Sequence, residues 1–261
     1  TLSGTVSTTA ALTLTTAGGN ITFTRNITDL GGQLTLTTGA GAGNIAFNGT
    51  VSNTSSQALT LEAGTGSVTF GGAVGSGTAL ASVTVSSADA GVTVSAAMNA
   101  ATVSIASAGP VAINGPVEVS AASGNAFSST GTGTSTFTIN ASGTAGTITA
   151  TGTGDVTINH AGDITTGGEI SAAGGNIDID SAGTLAVNAA VKVTTGTGAI
   201  TLDAATSITL GADLSSETGA ITLGGTLSGT VSTTAALTQR TGRRVLRLFD
   251  ARLSAPSVCC L

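Results

Sequence analysis

The sequence predicts an all-β chain wound as a three-sided parallel β-solenoid, and three observations lead there. Short segments of alternating apolar residues recur at a period of roughly 22 residues. Gly followed by Asn, Asp or Ser stands directly before many of them. Large side chains are scarce: 261 residues hold 39 Gly, 6 Phe, no Trp and no Tyr, too little aromatic volume for an ordinary compact core.

Residues 34–51, LTLTTGAGAGNIAFNGTV, show the unit. Leu34/Leu36 and Ile45/Phe47 each alternate with small residues, which puts the apolar pair on one side of a strand and Thr, Ala or Asn on the other. Lone Val51 follows. Along the chain the first column of such pairs reads Leu12/Leu14, Leu34/Leu36, Leu59/Leu61, Val83/Val85, Val103/Ile105, Leu185/Val187 and Ile208/Leu210. A second reads Ile21/Phe23, Ile45/Phe47, Val68/Phe70, Val92/Val94, Val111/Ile113, Val156/Ile158, Ile177/Ile179, Ile200/Leu202 and Ile221/Leu223. A weaker third holds Ile27, Val51, Val74, Met98, Val117, Ile164 and Leu214. Three short strands per coil and roughly ten coils follow, a rod on the order of 50 Å long at the inter-strand spacing.

One coil cannot bury its apolar side alone, but stacked coils line Ile over Ile into a continuous column. Such an interior is narrow, which suits aliphatic side chains and excludes most aromatics. At the corners, Gly19-Asn20, Gly43-Asn44, Gly66-Ser67, Gly154-Asp155 and Gly175-Asn176 tolerate the left-handed backbone region. Turn formation is the simpler role for them; a ladder of side-chain hydrogen bonds between stacked corners is the other. Residues 121–136, AASGNAFSSTGTGTST, show no inward pair and read as a loop or lax coil. Phe137/Ile139 and Ile148 restart the strands.

Residues 1–13, TLSGTVSTTAALT, return unchanged at 226–238, an offset of 225. That identity marks a long repeat unit restarting at 226, and the chain reads as a segment of a larger protein. The solenoid body is therefore 1–238. Residues 239–261 break the pattern and hold five of the six Arg and both cysteines, Cys259 and Cys260. Gly and Ala codons read out of register readily give Arg codons, so this tail is read as a reading-frame artefact; a basic amphipathic helix is the competing reading.

Composition also sorts function. The body holds two cations, Arg25 and Lys192, against twelve acids, a balance that cannot neutralise phosphates and disfavours nucleic acid. No apolar run is long enough to span a bilayer. Without cysteine the body has neither a disulfide framework nor a cysteine metal site. His160, the only histidine, is read as a turn residue at a coil corner, not as part of a Ser/His/Asp site. Asp178 and Asp180 in GGNIDIDSAG depart from the calcium nonapeptide, since Asn176-Ile177 replaces its Gly spacing; they are weak candidates for a surface cation and otherwise a solvated face. No catalytic residue, cofactor site or metal site is assigned.

The segments GNITFTRNI, GNIAFNGTV, GSVTFGGAVGSGTALASVTV and GAITLDAATSITLGADL resemble the β-strand repeats of bacterial filamentous-haemagglutinin-like and autotransporter-type exoproteins. The resemblance covers 1–238. It implies a right-handed parallel β-helix, exported through the outer membrane and presented at the cell surface as a stalk or adhesive rod. The expected function is thus non-enzymatic, structural or adhesive, with glycans or proteins of a host or neighbouring cell as partners and self-association through the solenoid ends. Ice binding by outward Thr arrays is the alternative, although the Thr row lapses at Ser104 and Ala186. A polysaccharide-active β-helix is weaker still, because it needs converging acids and sugar-stacking aromatics.

Overall fold

The computed structural model describes residues 1–141 and 146–224, and the backbone of Thr230–Thr233, Leu246–Leu248 and Arg252–Leu253. Among these residues every strand pairing is parallel and no helix occurs. The chain winds as a β-solenoid of about nine turns with three strands per turn. Its first face begins with Leu12–Thr15 and Leu34–Thr37, its second with Ile21–Phe23 and Ile45–Phe47, and its third with Val6–Thr8 and Ile27–Leu30.

Register follows the alternation. On the second face Ile21 lies beside Ile45, then Val68, Val92, Val111, Phe137, Ile164, Leu185 and Ile208. All are at most 3 % exposed. Burial of such a side chain contributes about 1.5–3 kcal/mol, and here it is complete only where coils lie on both sides. Leu2, Val6, Leu12 and Leu14, at the start of the stack, are accordingly only partly covered. Phe23, Phe47 and Phe70 add an aromatic column, with ring centroids 5.2 and 5.6 Å apart and planes within 5°.

Two expectations are corrected. Residues 121–136 are not a lax loop: Asn125–Gly131 is a strand of the first face, paired to Val103 through Phe127 and to Val156 on its other side. Ala126, Phe127 and Ser129 point inward there. The strand hides in sequence because one inward position is Ser and the next Gly. Beyond this strand the predicted first and second columns exchange faces and Ile164 moves to the second face, while Leu214 stays on the third as predicted. Val156/Ile158, Ile177/Ile179, Ile200/Leu202 and Ile221/Leu223 continue the first face, whereas Ile164, Leu185/Val187 and Ile208/Leu210 belong to the second.

The corner residues carry both proposed roles, for a reason other than left-handed backbone. Asn44 N–H donates to Asn20 Oδ1 at 2.8 Å, and Ser67 N–H to Asn44 Oδ1 at 2.8 Å. At another corner Asn176 N–H donates to Asp155 Oδ1 at 2.7 Å and Ala199 N–H to Asn176 Oδ1 at 2.9 Å. The ladder is thus side chain to backbone, one coil to the next. The glycines beside it are small because coils touch: a Cβ on Gly175 would lie 2.1 Å from Gly154 O, and one on Gly66 2.1 Å from Gly43 O. Gly175→Ala is therefore expected to lower stability by about 1–3 kcal/mol through forced separation of adjacent coils. A urea midpoint unchanged from wild type would contradict this.

Most of the tail, and most of the repeat restarting at 226, lies outside the described residues. Within it, Leu246–Leu248 pairs with Ile221–Leu223, and Arg252–Leu253 with Thr230–Val231.

Candidate functional surface and the buried histidine

Outward positions of the first face form one row of hydroxyls. Thr13 pairs with Thr35, then Thr60, Thr84, Ser104, Ser128 and Thr157 follow in register before Asp178 ends the row. Ser104 keeps the hydroxyl, and Ala186 belongs to the second face, so neither interrupts it. The adjacent outward row is less uniform, since Thr15 and Thr37 give way to Glu62.

Acids take over where the hydroxyls stop. Asp178 lies between Thr157 and Thr201, and Asp180 between Asn159 and Asp203. Partial burial, then the charges of Asp180, Asp203 and Asp155, hold the Asp178 carboxyl above its usual range. Asp180 is raised in the same way, by desolvation and then by Asp203. Asn159 Nδ2 donates to Asp180 Oδ2 at 3.3 Å. Among the described residues no group of three or more His, Cys, Asp or Glu is placed to hold a metal ion. Lys192 is engaged elsewhere, 2.7 Å from Glu169 on the third face.

His160 overturns its sequence reading. It ends the strand Asp155–His160, but its side chain is wholly buried in the interior instead of standing at a corner. Gly131 in the preceding coil and Ser181 in the following one are its register neighbours. A Cβ on Gly131 would lie 2.2 Å from His160 Nδ1, so the absent side chain is what admits the imidazole. Ser135 Oγ donates to Gly109 O at 2.5 Å and therefore accepts from His160 Nδ1–H at 3.0 Å; Ser129 Oγ–H then donates to Nε2 at 2.9 Å. This assigns the Nδ1–H tautomer and satisfies both ring nitrogens. Phe137 covers the ring at 5.3 Å between centroids. Desolvation lowers the His160 pKa from 6.5 to about 4, with Ser135 opposing, so the ring is neutral near pH 7. Both serines are at most 1 % exposed, and no solute reaches the trio.

Sequence reasoning missed Ser129 and Ser135, which lie 31 and 25 residues from His160. The usable signal was Gly131, visible as a register neighbour only once Asn125–Gly131 is accepted as a strand.

Thr166, one coil beyond Ile139 on the second face, is fully buried, and its Oγ1 has no hydrogen-bond partner. Thr166→Val keeps the shape and removes the orphaned hydroxyl. It is expected to raise stability by about 1–2 kcal/mol, read as a higher urea midpoint at unchanged m; a lowered midpoint would show that the hydroxyl is satisfied.

No protein-family model matches the chain, and no curated protein or solved structure is significantly similar to it. Among the described residues no helix is long and apolar enough to cross a membrane.

Proposed function

We propose that the chain is a non-enzymatic, structural or adhesive segment of a large bacterial surface protein, secreted and held at the outer membrane as a repetitive rod. The observation that carries this reading is continuity: three faces stack in register from Leu12 to Leu223 around one dry interior, and hydroxyls dominate what faces water. A surface of this kind offers many weak, repeated contacts to glycans or proteins of another cell, which together give useful avidity. The only imidazole among the described residues is spent on packing. The strand resemblance supports the same assignment.

In the producing bacterium, antibody against the body is expected to label intact cells, and brief external proteolysis should remove the antigen. Labelling only after lysis would overturn the surface location. Beads coated with the folded chain should bind cell surfaces more than albumin-coated beads; no excess binding would remove the adhesive role.

One observation favours a second reading, ice binding: the unbroken hydroxyl row from Thr13 to Thr157. Thermal hysteresis of the purified chain would support that reading, and its absence would dismiss it.

A further inference from the structure

The identity of residues 1–13 with 226–238, set against the coil lengths of the third face, fixes where the second copy begins. Val6 lies on the third face beside Ile27, and nine turns later that face reaches Leu214. Its counterpart in the second copy, Val231, comes only 17 residues after Leu214. The shortest turn of the third face takes the 19 residues from Met98 to Val117. Val231 thus arrives too early to close a tenth turn. Its backbone instead pairs with Ile208 on the second face, a step of 23 residues that equals the one from Leu185 to Ile208.

We propose that the 225-residue unit contains nine and two-thirds turns, so that each successive unit is set back by one face, a rotation of about 120° around the solenoid axis. The consequence is a surface that changes sides. Features of the first face, the hydroxyl row and the acids Asp178, Asp180 and Asp203, are carried on the third face by the next unit and on the second by the one after. Three units restore the starting orientation, and a partner that reads one face meets it from every side of the rod. An integral number of turns would confine that face to one side. This inference rests on the reading of the chain as part of a tandem-repeat rod, but its test does not involve adhesion.

The experiment uses the full chain with Cys259→Ser and Cys260→Ser, nitroxide-labelled in two double variants. Thr209→Cys with Ser232→Cys places labels one inter-strand spacing apart, about 4.8 Å, if the second copy starts one face back. Ser215→Cys with Ser232→Cys does so only if it starts in phase. Strong dipolar broadening of the continuous-wave spectrum is expected for the first pair and its absence for the second, with circular dichroism confirming that both variants fold. Broadening for the second pair alone overturns the proposal. Broadening for neither pair also overturns it, because the second copy would then lie on neither face. Failure of the adhesion experiment leaves this result untouched, and the reverse holds.

Discussion

Phe47→Ala is expected to cost about 3–5 kcal/mol and to unravel the early coils before the late ones. Phe47 is fully buried between Phe23 and Phe70, stacked on both. Truncation removes two ring contacts worth about 0.5–1.5 kcal/mol each, beyond the lost transfer free energy. It also leaves a void that the flanking backbones, fixed at the inter-strand distance, cannot close. Because each coil touches only its neighbours, the loss stays local. Amide exchange should accelerate across residues 21–70 and remain slow across 156–202, while the circular dichroism melt becomes broader or biphasic. Thr69→Ala, at an outward position beside the column, should change little. Uniform acceleration along the chain would mean that the body behaves as one cooperative unit.

Acidification is the second large effect. His160 has a folded-state pKa of about 4 against 6.5 when unfolded, so between these values the unfolded chain binds the additional proton. Stability contributed by the neutral ring is complete above about pH 6.5 and declines as pH falls toward 4. The shift corresponds to about 3 kcal/mol. Asp178 and Asp180 act in the opposite sense: their raised pKa values mean that protonation relieves first the desolvation of the carboxylates and then their mutual repulsion, and so favours the fold at low pH. Wild type should therefore lose stability from pH 7 to 4.5. His160→Leu, whose apolar side chain fills the same space, should lose little or gain slightly. A wild-type urea midpoint that is flat over this range would contradict the buried neutral imidazole.

Much of the fold was legible in the sequence. Apolar pairs such as Ile21/Phe23 and Ile45/Phe47 alternate plainly because both sides of each strand have fixed environments, one dry and one wet. Legibility failed where the inward side was not apolar. Phe127 and Ser129 form an inward pair in which the hydroxyl is tolerated only because His160 accepts from it, and no local pattern announces a partner 31 residues away. Without that strand the first and second columns exchange faces beyond it and Ile164 is read on the third face instead of the second, while Leu214 keeps its place. The corner glycines lie where the sequence predicts them, but their cause is the contact between coils and not left-handed backbone. Close approach of successive coils is a property of stacking, and a turn viewed alone does not display it. Of the candidate site residues, Asp178 and Asp180 sit outward, as alternation requires. His160 could not be placed until Gly131 was known to lie beneath it.

The account stands on the stacking register, and methyl and aromatic nuclear Overhauser contacts in labelled protein test it most directly. Contacts are predicted from Ile45 to both Ile21 and Val68, and from Val156 to both Phe127 and Ile177. If Val156 instead contacts Val111, or if Ile21, Ile45 and Val68 share no contacts, the three-faced solenoid described here is wrong.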